Sequence, residues 1–365
     1  MKFLNRYIKI IDWYIIKKYL GTFVFTLAIF TVISVVFDIS EKLDDFLKST
    51  ATTKEIIFEY YGGFIPFYLN FLSPLINFIA VIFFTAKMAD QTEIVPILCG
   101  KASFNRFLRP YFIASTLIFV VSMVFNQLII PETNRLMTNF ENTYLKDSNN
   151  TTRSNVHIQL DQSTYVYMES FDNKTDNGYR FSLEKFDKDE LKSKLMADRI
   201  AWDSVAKKWK IYNFTIRHVD GLKERMETGV EKDTTLDMKP LDFDVRDNIF
   251  SAMNYTELNE KIEKEKIRGS GIMVNLELEK YKRWVYPFST YVLTLIGVAL
   301  SSRKVRGGVG LPLGVGIGMS FLYILLIQFA NVFALKGGLP PVIAVIIPNL
   351  IFGTIGVVLA VKAPK

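Results

Sequence analysis

The chain has 365 residues, of which 50% are hydrophobic and 14% aromatic. Its mean hydropathy is +0.19, whereas soluble globular proteins normally fall below zero, so the composition indicates a membrane protein. One cysteine excludes an intramolecular disulfide framework, and two histidines are too few for a His-rich metal site. The net charge of +7 does not indicate a nucleic-acid-binding face, because residues 131–283 hold 26 basic and 28 acidic side chains, and the basic excess lies in the apolar remainder.

Six apolar runs divide the chain, three before residue 131 and three after residue 283. At about 1.5 Å rise per residue, each covers most of a bilayer's hydrocarbon core. The runs are 20–37, 64–84, 107–130, 284–300, 309–334 and 339–361. The pattern predicts six transmembrane helices, with an N-terminal membrane half at 1–130 and a C-terminal half at 284–365.

Lys and Arg are unequally distributed between the two ends of these predicted spans. The N-terminus, the loops 85–109 and 301–308 and the C-terminus carry 14 of them, and the opposite short loops carry four. Because basic loops stay on the cytoplasmic side of a membrane, we expect both termini in the cytoplasm and residues 131–283 outside it.

The polar insert between the two membrane halves has the texture of a β domain. Short stretches alternate apolar and polar residues, as in Thr164–Met168 and Trp209–Phe214, which is typical of strands buried on one face. The pattern predicts an antiparallel all-β sandwich or jelly roll, assigned to residues 131–252. Amphipathic helices are predicted over 253–283, the first with Asn254 as its N-cap and Glu257 completing a capping box.

Most enzyme chemistry has no counterpart in the sequence, which contains neither HExxH nor CxxC. The segment around Gly100 resembles a phosphate-binding loop, but Val95 and Ala102 stand where that motif requires Gly and Ser or Thr. We therefore expect no catalytic site, no metal and no directly bound cofactor. An intramembrane enzyme is disfavoured, because the spans contain no paired Asp, His or Glu.

The loop 85–106 is too long for a tight turn and too polar to span a membrane. We predict that this loop contains a short cytoplasmic helix, which carries Asp90 and Glu93 beside the apolar residues Ile94, Ile97 and Leu98. Such a helix suits docking into a groove of a soluble subunit. An amphipathic loop lying on the membrane surface is the alternative.

Five ordered motifs give the sequence a family resemblance. They are the segment Trp13–Leu20 at the start of the first span, Lys87–Gly100 with Thr92-Glu93-Ile94-Val95 at its core, Phe107-Leu108-Arg109-Pro110, Gly337-Gly338-Leu339-Pro340-Pro341 and Pro348-Asn349-Leu350. With these motifs the chain resembles the LptF/LptG permeases of the lipopolysaccharide export machine. It is interpreted as LptG-like, although the outer end of the first span, residues 38–48, is net acidic where LptG-type members tend to carry several lysines.

The resemblance implies a permease subunit of an ABC-type exporter in the bacterial inner membrane. It implies pairing with a second LptF/LptG-type subunit and docking of an LptB-like ATPase dimer, so that ATP acts only through a partner. Lipopolysaccharide would enter between span one of one subunit and span five of the other. A periplasmic β-jellyroll would then pass it to LptC/LptA-like jelly-roll proteins.

Three sets of candidate site residues follow from the resemblance, in which Glu93 corresponds to the acid of the family's coupling helix. The coupling residues are Asp90, Glu93, Ile94, Ile97, Leu98 and Gly100. The lateral-gate and lipid-binding candidates are Phe23, Phe30, Lys42, Phe321, Tyr323, Ile324 and Ile327. The candidates for an apolar jelly-roll lumen are Val166, Met168, Phe181 and Phe214. A permease for another lipid or a lipoprotein, and a membrane-anchored scaffold or binding protein, are the alternative functions.

Overall fold

The computed structural model describes most of the chain. The described residues are 9–100, 103–145, 152–187, 190–221, 223–240, 243, 247–268, 272–305 and 308–363. Five of the basic residues counted above lie outside them, namely Lys2, Arg6, Lys101, Arg306 and Lys365. The chain forms two compact units. The membrane unit comprises Met1–Asp44, Ile57–Met137 and Glu277–Lys365, and the β unit comprises Asp45–Ile56 and Thr138–Leu276.

Among the described residues, six helices are long and apolar enough to cross a membrane. This confirms the predicted number of spans and their division into two groups of three. Numbered in chain order as span one to span six, they are Ile10–Lys48, Thr53–Asp90, Phe104–Tyr144, Met273–Ser301, Gly310–Lys336 and Pro341–Val361. Spans one to four are longer than the apolar runs that predicted them. The helices continue beyond those runs because the flanking segments are amphipathic and still have one apolar face to bury.

Three of the spans contain a local change of helical winding. Span two begins with a turn capped by Thr52 and passes through a π-helical turn at Ile56–Tyr60 before the α-helix Tyr61–Asp90. Span three has a π-helical turn at Phe125–Ile129, and span four has a 3₁₀ turn at Tyr286–Phe288. Turns of this kind accommodate an inserted residue or a local bend without ending the helix.

The spans of the membrane unit are unequally enclosed. In the most apolar part of span four 56% of the residues are buried, against 6% in span one. Glycine allows span four to approach span two closely, since a Cβ at Gly297 would lie 2.9 Å from a methyl group of Val81. Span four is thus central to this unit, and span one lies at its edge.

The β unit contains one antiparallel sheet whose six strands follow one another in sequence order. The strands are β1 (Thr152–Gln159), β2 (Thr164–Asp172), β3 (Asn177–Asp187), β4 (Glu190–Asp203), β5 (Lys208–Asp220) and β6 (Lys223–Thr234). The predicted all-β domain between the third and fourth spans is therefore confirmed, and its described strands form a six-stranded meander.

The described residues on the buried face of this sheet form an apolar core. Trp209 is fully buried at its centre, packs against Phe171, Trp202 and Phe243, and donates from Nε1 to the carbonyl oxygen of Met238 at 2.9 Å. From Thr164 to Glu169, the residues of β2 alternate between buried and more exposed positions, as the period of two in the sequence predicts.

Two further helices of the β unit, Asp247–Ser251 and Tyr255–Arg268, follow the sheet along the chain. The predicted cap of the second is confirmed. The amide of Glu257 donates to the side chain of Asn254 at 2.8 Å, and the amide of Asn254 donates to the carboxylate of Glu257 at 2.9 Å. Leu258 and Met253 pack in the same apolar cluster, so the staple that accompanies such a cap is present.

Candidate functional site

A short helix, Ile94–Cys99, lies in the loop between spans two and three, and is called the loop helix here. Span two ends at Asp90, and Thr92 takes a positive φ of 60° that reverses the chain direction. The amide of Glu93 donates back to the carbonyl oxygen of Met88 at 2.9 Å. This turn fixes where the loop helix leaves span two, so its position does not depend on a partner.

One face of the loop helix is anchored in the membrane unit. Ile94 is only 2% exposed and belongs to the same apolar cluster as Met88, Ala89 and Phe104. Ile97 and Leu98 are half-buried against that cluster. A helix of six residues has little stability of its own, so these three apolar contacts hold it in place.

The opposite face of the loop helix is exposed. It comprises Asp90 at the end of span two, Val95, Pro96, Cys99 and Gly100. The predicted coupling residues therefore separate by role. Asp90 and Gly100 are exposed and available to a partner. Glu93, Ile97 and Leu98 are partly exposed, and Ile94 is the buried anchor.

Val95 and Pro96 extend the accessible surface. The sequence did not single them out, because the direction of such a short helix is set by its long-range contacts.

Glu93 contacts span one. The hydroxyl of Tyr14 donates to its carboxylate, with distances of 3.1 Å to Oε2 and 3.3 Å to Oε1. An ionised carboxylate accepts hydrogen bonds at about four lone-pair positions. The bond to Tyr14 therefore leaves acceptor capacity on Glu93 for a basic group of a partner.

A partly buried ion pair involves Asp12 of span one, two residues before Tyr14. Asp12 is 2% exposed, and both of its carboxylate oxygens accept from the guanidinium of Arg106, at 2.7 and 2.6 Å. The amide of Lys9 also donates to this carboxylate at 2.8 Å. Removing Arg106 would leave the buried Asp12 carboxylate without its cation, which destabilises this contact. The pair joins the first turn of span one to the first turn of span three, and sequence reasoning missed it because 94 residues separate the partners.

A third polar contact lies deeper in the membrane unit and joins spans one, two and four. The hydroxyl of Tyr19 donates to Oδ1 of Asn77 at 2.5 Å and lies 3.1 Å from the hydroxyl oxygen of Thr294. The amide nitrogen of Asn77 donates to the same hydroxyl oxygen at 3.0 Å. All three residues are fully buried. Hydrogen bonds between helices stabilise a defined packing in lipid, so Tyr19 fixes the position of span one at this depth.

The other end of span one carries an acidic contact with span two. Asp38 is buried and accepts hydrogen bonds from the hydroxyls of Tyr60 and Tyr61, each at 3.0 Å. Lys42 lies 3.8 Å from the same carboxylate and donates to the Tyr60 hydroxyl at 2.5 Å. Asp38 and Lys42 of the acidic segment 38–48 are thus engaged within the chain. Lys42 is one of the predicted lipid-binding residues.

Between these polar contacts, a small groove lies between spans one and two. Its lining is mainly apolar and includes Phe30, Ile65, Tyr68, Leu72 and Ile76. Phe30, a predicted gate residue, therefore faces span two of its own chain.

The other predicted gate residues divide between the interior and the surface. Phe23 and Tyr323 are buried, and the Tyr323 hydroxyl donates to Oδ1 of Asn349 at 2.8 Å. Ile324 and Ile327 are half-buried, and Phe321 is exposed. Of this set, Phe321 has the most surface available for an acyl chain in this conformation.

Spans one and five each leave a long apolar face uncovered in this chain. The uncovered face of span one includes Phe25, Val32 and Phe37. The uncovered face of span five carries Phe329 and Phe333. Towards the start of this helix it carries Gly310, Gly314 and Gly318, where an added Cβ would meet open space. Gly316 differs from these glycines, since its Cβ would collide with Ile82 of span two.

The four predicted lumen residues of the β unit all face one apolar cluster. Val166, Met168, Phe181 and Phe214 are at most 6% exposed and pack around Trp209. Phe214 pairs across the sheet with Gly229, where a Cβ would lie 2.4 Å from the phenyl ring. In this conformation the cluster is filled by its own side chains.

Among the described residues, no group of three or more His, Cys, Asp or Glu side chains has the arrangement needed to hold a metal ion.

The sequence matches the family model described as lipopolysaccharide export system permease LptF/LptG over residues 13–362. The chain belongs to the LptF/LptG family. This match covers both membrane halves and the β insert, and it bears out the resemblance carried by the five motifs. The LptF/LptG family is a family of transport permeases rather than enzymes, so this chain is a multi-pass membrane component of a lipopolysaccharide export system. A comparison with curated proteins gives no match.

Proposed function

We propose that this chain is a permease subunit that extracts lipopolysaccharide from the bacterial inner membrane, driven by a separate cytoplasmic ATPase. The observation that carries the proposal is the loop helix. It is anchored by Ile94 on one face and presents Asp90, Val95 and Pro96 on the other. A helix built in this way transmits force, because a partner that moves the exposed face also moves the anchored side chain.

The charge distribution supports a cytoplasmic position for the loop helix. Basic residues are concentrated at the termini and in the loops 85–109 and 301–308, and such loops stay in the cytoplasm. In this orientation the β unit lies in the periplasm. ATP then acts on the chain only through the docked ATPase, and no cofactor binds to the permease itself.

The uncovered faces of spans one and five support the proposed partners and cargo. Burying an apolar surface from water is worth about 0.8 kcal/mol per methylene, so a lipid with several acyl chains leaves the membrane only along another apolar lining. We propose that these faces meet those of a second LptF/LptG-type subunit and form that lining. The β unit then passes the lipid to a periplasmic LptC/LptA-like jelly-roll protein.

Co-purification tests the proposal. The chain is purified through a C-terminal tag from its native membrane in mild detergent, and its partners are identified by mass spectrometry. We expect a second permease-type subunit and a cytoplasmic ATPase, with vanadate-sensitive ATP hydrolysis in the purified complex. A chain that is recovered folded but without an ATPase would contradict the proposal and favour a membrane-anchored scaffold.

A further inference from the structure

We propose that residues Lys9–Tyr19, called the relay segment here, relay motion from the loop helix to the rest of span one, with Tyr14 and Asp12 as positioning residues; the segment comprises Lys9 and about the first three turns of span one. This inference rests on the proposed function, because it takes the loop helix as the point where an ATPase acts. It goes beyond that function by naming the contacts that carry the movement to the span lining the lipid path.

The relay segment is joined to the loop region by two polar contacts. The Tyr14 hydroxyl donates to Glu93, directly before the loop helix, at 3.1 Å. Asp12 accepts two hydrogen bonds from Arg106, in the first turn of span three that follows the loop helix. The segments on both sides of the loop helix therefore contact the same relay segment of span one.

An apolar contact reinforces the two polar ones. Ile15 and Ile16 of the relay segment are buried in the cluster that also receives Ile94, the anchor of the loop helix. A displacement of the loop helix thus meets closely packed side chains of span one. Packed clusters of this kind transmit strain, because they have little free volume in which to absorb it.

Beyond Tyr19, span one is only loosely enclosed until Asp38, whose carboxylate joins it to span two. Tyr19 is held by Asn77 and Thr294, but the following apolar part of the span is 6% buried in this chain. From Tyr19 to Val32 the helix runs about 20 Å. A tilt of about 10° around the Tyr19 contact would move Val32 by roughly 3 Å along such a lever.

Spin labelling of the complete complex tests the relay. Nitroxide labels are placed at Val32 of span one and Phe71 of span two, both exposed, in a Cys99→Ser background. Because Cys99 lies on the exposed face of the loop helix, ATPase binding and hydrolysis are first compared with the wild type in this background. Their distance is measured by double electron–electron resonance, without nucleotide and with ATP and vanadate. We expect a shift of roughly 3 Å.

Two substitutions in the relay should weaken this response without removing the ATPase. Tyr14→Phe deletes only the hydroxyl that contacts Glu93, and Arg106→Gln removes the charge that pairs with Asp12. We expect each to reduce the distance shift by more than half, while ATP hydrolysis stays within twofold of wild type. Arg106→Lys, which keeps the charge but loses the second parallel hydrogen bond, should be intermediate.

A matched control removes a hydroxyl elsewhere in the same unit. Tyr291→Phe deletes the contact with Thr116, which joins spans three and four at 3.1 Å and lies outside the relay. It should leave the shift unchanged. An unchanged shift in both Tyr14→Phe and Arg106→Gln would overturn the relay, as would a wild-type complex that hydrolyses ATP with no change in this distance. Failure of the ATPase to co-purify would instead overturn the proposed function.

Discussion

Reversal of the charge of Glu93 should release the ATPase while leaving the permease folded. Within the chain, Glu93→Lys removes one hydrogen bond, that from Tyr14 at 3.1 Å. Both partners are at the surface, so the loss should cost about 1 kcal/mol of folding free energy. Ile94, which anchors the loop helix, is unchanged.

The effect on the partner should be much larger. If a basic pocket of the ATPase receives Glu93, the reversal places like charges in contact and leaves the pocket's charge unpaired, at a cost of about 2–5 kcal/mol. At about 1.4 kcal/mol per tenfold change, the dissociation constant should rise between roughly 30-fold and several thousand-fold.

Titration of the immobilised permease with the ATPase that co-purifies with the wild type measures this change. Glu93→Gln keeps an acceptor for Tyr14 without the charge and should be intermediate. Glu132→Lys is a control with the same charge reversal at an exposed residue far along span three, and it should bind normally. A Glu93→Lys variant that melts like the wild type and binds the ATPase within threefold of its affinity would refute the coupling role of this acid.

Three other predictions concern the gate, the contact of Asp38 and the β unit. Single cysteines at Ile29 and Phe329, exposed on spans one and five, should cross-link between paired subunits in a Cys99→Ser background. The cross-link should stop lipid transport without stopping ATP hydrolysis, and reductant should restore transport; transport through a cross-linked complex would exclude the interface of spans one and five as the lipid path. Asp38→Ala removes the shared acceptor of two tyrosine hydroxyls. It should lower the thermal unfolding temperature by several degrees, because each hydrogen bond to a charged group contributes about 1.5–3 kcal/mol; an unchanged unfolding temperature would show that this contact does not stabilise the fold. Trp209→Ala should destabilise the sheet by about 3–5 kcal/mol and make the β unit sensitive to protease, while resistance equal to the wild type would contradict its place at the core.

The sequence predicted features that depend on local pattern. The six apolar runs predicted six membrane spans, because a bilayer demands about 20 apolar residues in each helix. The period-two alternation predicted the strands of the insert, and the spacing of Asn254 and Glu257 predicted a helix cap that the structure contains. Each of these signals lies within a single element, so it can be recognised before the tertiary structure is known.

Contacts between distant elements could not be predicted in this way. The pairing of Asp12 with Arg106 and the meeting of Tyr19, Asn77 and Thr294 depend on how the spans pack. Periodicity likewise did not show that Ile94 points inward. The sequence showed that the segment 38–48 of span one is net acidic, but it could not show that Asp38 bonds within its own chain, where two tyrosines of span two lie beside it.

Transport by the purified complex tests the central claim most directly. The complex isolated through this chain is reconstituted into proteoliposomes with fluorescent lipopolysaccharide, together with the periplasmic jelly-roll protein that co-purifies with it. We predict transfer of the lipopolysaccharide to that protein with ATP, and none with ADP, with vanadate or with the Glu93→Lys variant. An intact complex that hydrolyses ATP but transfers no more lipopolysaccharide with ATP than with ADP would contradict the account.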